Sequence, residues 1–246
     1  MIEKKKTGTY EWAPARDNCI YGCSNDCRYC YAKANAIRFK RETEDTWKVE
    51  HPNLNAKAKK HRGRVMFPTS HDLHIEHVNW WGPHLNNLLK KGNDVLIVTK
   101  ASPSSIKWIC DNFPDYKDQI EFRFTIGTDC EETVEYWEPG APMSCFRTSS
   151  LVIASTHGFR TSVSMEPLLM ENPVPFIEKM YPFVTGEIWI GMMNHFELKP
   201  EIPEHARQIK IQSRENLQRV YEATKDNPKV RYKDSMRELL GLPSNP

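Results

Sequence analysis

The chain has 246 residues, 39% of them hydrophobic and 27% charged, with a formal net charge of +2. That reads as soluble and globular, long enough for one large domain or two small ones, and the charge alone implies no polyanion partner. No run approaches the roughly 18 apolar residues of a membrane helix, and the start, MIEKKKTGTYEW, lacks the apolar segment of a secretory signal, so a cytoplasmic, reducing location and no membrane partner are expected.

The stretch NCIYGCSNDCRYCYA (18–32) holds four of the seven cysteines. An odd total with one tight cluster points to metal or catalysis rather than to disulfides. Next comes a basic run, NAKAKKHRGR (55–64), read either as a solvated loop or as a phosphate-contacting edge.

Strand-like and helical runs then alternate. RVMFPTS (64–70) reads as a strand. A helix follows over 77–92, with Gly92 as its stop. DVLIVTK (94–100) is a continuous apolar run, as in a strand buried on both faces. A helix over 102–113 has Pro103 at its first position. Strands are expected at 120–128, 159–169, 186–194 and 229–234. Helices are expected at 142–158, 173–183, 202–226 and 235–241, and LPSNP reads as a frayed terminus. This alternation predicts parallel β/α units. About six strands suggest an α/β fold, a partial (open) barrel in a single domain. Its core spans about 10–200, with a C-terminal helical extension over 201–246.

In such folds chemistry collects at the C-terminal ends of the strands. Those ends carry Thr69, Ser70 and Asp72; Thr99 and Lys100; Thr125 and Thr128; Ser164 and Glu166; Met192 and Asn194; Lys233 and Asp234. Taken together they read as a pocket lining.

Cys23, Cys27 and Cys30 have the spacing C-x3-C-x2-C. Three thiolates on one loop can hold three corners of a cubic iron–sulfur cluster and leave the fourth iron open. Electron-transfer clusters use four cysteines, and structural zinc wants four ligands. With Cys19 included, a zinc site or a fully ligated cluster remains an alternative at this point.

The motif C23-SND-C27-R-Y29-C30 resembles the C-x3-C-x-aromatic-C signature of the radical SAM superfamily. Asn18, Tyr21, Gly22 and the following Cys30-Tyr31-Ala32 resemble its spore photoproduct lyase-like (DNA repair photolyase-like) branch. VTKAS (98–102), WEPGAP (137–142) with Arg147, and SVSMEPLL (162–169) resemble later landmarks of that branch in the same order. The likeness spans about residues 18–194, with a weaker echo in VRYKDSMRELL (230–240).

The resemblance implies a radical SAM core and a [4Fe–4S] cluster on Cys23, Cys27 and Cys30, with Cys19 excluded. It implies S-adenosylmethionine (SAM) at the open iron. It also implies reductive cleavage to a 5′-deoxyadenosyl radical that abstracts hydrogen from a substrate. The cofactor carries the hard chemistry and the protein supplies placement and exclusion of water. An electron donor of the flavodoxin or ferredoxin kind follows.

Lys100 and Arg147 are then candidate cations for the SAM carboxylate. Ser70 and Asp72 are candidate acceptors for its amino group, Thr125 for its ribose, and Tyr29 for its adenine. Glu166 is a candidate contact to cofactor or substrate, the alternative being a helix N-terminal charge. Photoproduct lyases carry a hydrogen-donating cysteine after the second strand; MFPTSHD (66–72) has none, which leaves Cys130 as the redox candidate. Cys110 and Cys145 are expected as buried packing residues.

Two further groups are ambiguous. His71, His74 and His77 read as a second metal or acid/base site, or as polar surface. Trp80, Trp81, Trp137 and Trp189 read as base-stacking residues, or as core. The substrate class suggested is a nucleobase or nucleic acid. The alternatives are a peptide or small-molecule substrate, or a non-enzymatic zinc- or cluster-binding nucleic-acid module.

Overall fold

The computed structural model describes residues 8–194 and 196–243. The basic start (1–7) and the last three residues of LPSNP lie outside the described residues. Among the described residues nine strands form: β1 (Ala15–Arg16), β2 (Ile20–Tyr21), β3 (His51–Pro52), β4 (Val65–Met66), β5 (Val95–Thr99), β6 (Ile120–Thr125), β7 (Arg160–Met165), β8 (Ile188–Ile190) and β9 (Val230–Tyr232). Seven of them make one parallel sheet, in the order β1-β4-β5-β6-β7-β8-β9, and β2 and β3 pair antiparallel beside it. The sheet curls into a half-barrel, so the expected open β/α barrel stands with one strand more than the six read from sequence.

The helices are α1 (Tyr31–Arg38), α2 (Val78–Lys90), α3 (Pro103–Asn112), α4 (Glu131–Trp137), α5 (Ser144–Thr156), α6 (Val174–Met180), α7 (Pro203–Ile211), α8 (Arg214–Thr224) and α9 (Asp234–Leu240). The single helix expected over 202–226 is two. Ser213 starts α8 as its cap, its Oγ accepting from Asn216 N at 3.2 Å. Gln212, at the break, accepts from Met193 N at 2.8 Å, which ties the break to the loop after β8. The strand expected at 229–234 forms as β9 and pairs with β8, and the strand beyond the expected six is β1.

Strand alternation sorts the side chains. On β6, Phe122 and Phe124 join the apolar core under the helices, and Phe122 meets Phe159 at 5.4 Å. Glu121 and Arg123, on the other face, look into the half-barrel. There an alternating ion network links strands across the bore: Arg64 to Glu121 at 2.9 Å, Glu121 to Arg123 at 3.1 Å, and Arg231 to Glu187 at 3.3 Å. A TIM barrel fills this space with branched apolar residues; this interior is polar.

The open side of the half-barrel is spanned by the N-terminal segment. Lys233, just after β9, donates to Gly8 O at 2.7 Å and pairs with Glu11 at 2.8 Å. Asp234 N donates to Glu11 at 3.1 Å. Trp12 then lies over Arg123, 4.8 Å from its guanidinium carbon. Three residues on, the chain pairs as β1 with β4. The segment thus runs from one edge of the sheet to the other.

Candidate active site at the mouth of the half-barrel

The cysteine loop leaves β2 through Gly22, whose φ of +76° suits a residue without a β-carbon. A Cβ there would also lie 2.4 Å from Val49 O. Cys23 N donates to Trp47 O at 2.8 Å, and Ser24 N donates to Glu50 at 2.8 Å. From the other side, Arg28 N donates to Trp137 O at 2.9 Å and Gly140 N donates to Asn25 O at 3.1 Å. Cys30 ends the loop as the N-cap of α1, its thiol accepting from Lys33 N at 3.5 Å.

Cys23, Cys27 and Cys30 share one electrostatic neighbourhood. Burial pushes the Cys27 thiol up to about 12, Lys100 opposes this, and Glu138 and Cys30 add to it. The Cys23 thiol is raised by burial, then by Asp72, Cys27 and Cys30. Cys19 points elsewhere. It is buried in the apolar core, its sulfur 3.9 Å from His71 Nε2. Burial, reinforced by Asp17, pushes its thiol up to about 12. Among the described residues, no group of three or more His, Cys, Asp and Glu side chains could hold a single metal ion.

Beneath the loop lies a buried charged group. Glu138 accepts from the Tyr29 hydroxyl, pairs with Arg147, and sits 3.8 Å from Lys100 Nζ. Burial alone would raise the Glu138 carboxyl, but Arg147 and Lys100 outweigh it and hold it low. Burial pulls Lys100 down, yet Cys27 and Glu138 prevail and keep it firmly protonated. Two cations meet one carboxylate there, and the buried carboxylate of Asp72 acts on Lys100 as well. Arg147 is wholly buried. Its Nε donates to Pro142 O at 2.6 Å and its Nη1 to Thr125 O at 3.2 Å, while Nη2 is buried without a hydrogen-bond partner. Thr125 therefore meets Arg147 through its backbone.

Asp72 differs from expectation. Its carboxylate accepts from Leu73 N at 2.8 Å, from the Thr99 hydroxyl, from Asn25 at 2.8 Å and from Lys100 N at 2.9 Å. Those four donors fill its acceptor positions, so it positions Lys100 and the cysteine loop. Ser70 sits at the exit of β4, where Asn18 gathers Thr69 N at 2.7 Å and Ser70 N at 2.9 Å.

Across the mouth stands Glu166, after β7. Burial pushes its carboxyl up to about 7; Lys233, 3.6 Å away, opposes this and Glu11 adds to it. Gly191 makes room for the pair, since a Cβ there would lie 2.7 Å from Lys233 and 3.0 Å from Glu166. Tyr31, next to Cys30, donates to Thr69 O at 2.8 Å. Its hydroxyl is pushed up to about 12 by burial and by Cys30, with a smaller push from Glu166. Ser164 Oγ, two residues before Glu166, is buried without a partner.

The structure thus brings together Cys23, Cys27, Cys30, Tyr29, Lys100 and Arg147, with Asp72 behind them and Glu166 on the far side. Cys130 stands apart at the N-cap of α4. Hydrogen bonds from Thr133, with Arg207 nearby, lower its thiol pKa. Cys110 is buried as expected, but Cys145 is exposed on α5. The three histidines divide. His71 packs beside Cys19, whereas His74 and His77 lie on Glu50 at 2.6 and 3.5 Å. Trp81 and Trp137 are core, Trp189 is buried in the bore, and Trp80 stacks on His77 at 4.2 Å. Glu138, Tyr31 and Asn18 were given no role in the site from sequence, although all three lie inside motifs already noted there.

No family model and no curated protein matches the sequence. Solved structures of spore photoproduct lyase share the fold. A tyrosine-to-phenylalanine mutant superposes with a TM-score of 0.56 at 11% identity, over 94% of this chain and 79% of that one. A cysteine-to-serine mutant gives 0.54 at 12% identity over the same shares. A double mutant with bound AdoMet and dinucleoside spore photoproduct gives 0.54 at 12% identity, over 88% of this chain and 75% of that one. At these identities the likeness is one of fold.

Proposed function

We propose that this chain is a radical SAM enzyme acting on a nucleobase or nucleic acid. Cys23, Cys27 and Cys30 would hold a [4Fe–4S] cluster and leave its fourth iron to SAM. The observation that carries this reading is the placement of the thiols. Three of the four clustered cysteines share one neighbourhood above a buried group of charges that includes Lys100 and Arg147, while Cys19 turns into the core. Soft thiolates suit iron–sulfur ligation. A buried cation facing them offsets part of the cost of ionising thiols that burial raises.

When bound, the cluster would supply the electron that cleaves SAM, and SAM the group that abstracts hydrogen. The chain's own residues do the rest. Lys100 carries a proton at Nζ and offers a cation to the carboxylate of SAM. Arg147 neutralises Glu138, which frees Lys100 for that task. Asp72 fixes the backbone of Lys100. Tyr29 is held by Glu138 as one wall for the adenine, and Thr125 and Ser70 line the path toward it. Glu166, on the far side with Tyr31, holds a proton near neutral pH and presents it toward the substrate. Cys130 lies on a separate part of the rim and stands as a redox candidate only.

The known fold supports the reading, as do AdoMet and a dinucleoside photoproduct bound in one structure of that fold. Among the described residues, no helix is long and apolar enough to cross a membrane. A reducing compartment such as the cytoplasm and a flavodoxin- or ferredoxin-like electron donor belong to the same proposal. The test is anaerobic reconstitution with iron and sulfide, reduction with dithionite, and chromatography for 5′-deoxyadenosine. Nucleoside formation that survives Cys19→Ala and disappears with Cys27→Ala is the expected result. A colourless protein holding zinc through four cysteines, without SAM cleavage, would replace the enzyme by a binding module.

A further inference from the structure

The helix that begins at the cysteine loop ends in an exposed ring between cations. Phe39, after α1, is 59% exposed. The guanidinium carbons of Arg38 and Arg41 lie 5.7 and 5.5 Å from its ring centroid. The arrangement is fixed by the backbone. Lys40 takes a left-handed conformation, φ +56°, and Arg41 N returns to Ala36 O at 2.9 Å, closing the helix as left-handed C-terminal caps do.

A second ring pair adjoins it. Tyr21 is 49% exposed, 5.3 Å from the ring of His51, whose side chain is 52% exposed. His51 Nε2 lies 3.4 Å from Glu42, which joins this pair to the segment following Phe39.

The acids of this region are mostly engaged. Glu42 accepts from Thr46 at 2.7 Å as well as facing His51. Glu44 is on Lys33 at 2.6 Å, and Asp26 is on Lys33 at 2.8 Å and Lys48 at 3.3 Å. Asp45 stays exposed. Among the described residues, Arg38, Lys40 and Arg41 have no acidic partner.

Exposed rings flanked by unpaired cations complement a polyanion that carries its own aromatic faces. Stacking of bases on such rings tolerates any sequence, and the cations track the backbone. We infer that Phe39, Arg38 and Arg41, with Tyr21 and His51 beside them, form a platform for single-stranded nucleic acid. α1, roughly 12 Å long at 1.5 Å per residue, separates it from Cys30. The role of that strand as substrate rests on the proposed function; the binding itself does not.

The test is fluorescence anisotropy of a labelled oligothymidylate, with protein reconstituted anaerobically and titrated at several salt concentrations. Phe39→Ala is expected to weaken binding about tenfold. The double variant Arg38→Ser/Arg41→Ser is expected to flatten the salt dependence, by about 0.7 in log–log slope per cation removed. Phe146→Ala, an exposed ring on α5, serves as control and keeps wild-type affinity. Thermal melts by circular dichroism establish that the variants are folded.

Wild-type affinity in both platform variants would overturn the inference. So would binding to phosphatidylserine vesicles with none to the oligonucleotide. SAM cleavage without nucleic acid, measured in the same preparations, should be unchanged by Phe39→Ala. Its absence in wild type would refute the proposed function while the anisotropy still decides the platform.

Discussion

Lys100 Nζ lies 3.8 Å from Glu138 Oε1, and Arg147 takes the other carboxylate oxygen. One buried acid therefore serves two buried cations beneath the cysteine loop. Removing one partner of such a group leaves charges unpaired in a poorly solvated place, at a cost of about 3–5 kcal/mol. Glu138→Ala is expected to lose stability on that scale. Glu138→Gln, which keeps an acceptor for Tyr29, should lose less. Urea unfolding of the two variants measures the difference.

Lys100 and Arg147 should separate in kinetics. Lys100→Met is expected to raise the KM for SAM by at least about tenfold, as loss of a charge-assisted contact of roughly 1.5–3 kcal/mol requires. Arg147→Met should act mainly on stability, because Arg147 faces Glu138 and two backbone carbonyls. Equal effects on KM would show that both cations meet the cofactor.

Glu166 gives a pH prediction. Its folded-state value, about 7, lies above the ordinary 4.5, so between those values the native state binds more protons than the unfolded chain. Stability should then fall as pH rises through that window. Glu166→Gln removes this contribution and is expected to be more stable than wild type above pH 7, by on the order of 2 kcal/mol. Below pH 4.5 the two should converge. Urea midpoints at intervals from pH 4.5 to 8 test this, and a constant difference across the range would refute it.

A glycine also holds the site. A Cβ on Gly140 would lie 1.9 Å from Ser24 O, which is backbone and cannot swing aside. Gly140→Ala is expected to push the cysteine loop from its seat, at a cost of about 1–3 kcal/mol, and to lower iron retention after reconstitution. Iron content per chain and the melting temperature report the two effects separately.

The parallel strands were legible because buried runs such as 94–100 are continuously apolar, and because Glu121-Phe122-Arg123-Phe124 alternates. β1 was not. Two residues, Ala15 and Arg16, have no pattern of their own and are strand only because β4 offers them a ladder. The break between α7 and α8 was hidden because Gln212 and Ser213 sit inside a helical periodicity, and the partner of Gln212, Met193, is distant in sequence. The site divides in the same way. Cysteine spacing is local and readable. The carboxylate between Lys100 and Arg147 is not, because the chain brings Glu138 there from another turn of the fold. Asp72 looked like a free acceptor for the amino group of SAM for the same reason: three of the four donors that occupy it, from Asn25, Thr99 and Lys100, are distant in sequence.

Lys233 and Gly8 meet across a separation of 225 residues. A contact of that range carries a loop-closure cost that the folded sheet between the two residues repays. The half-barrel is thus a tray strapped across its open side by residues 8–12, and the strap is buckled at the opposite sheet edge by one side chain, Lys233.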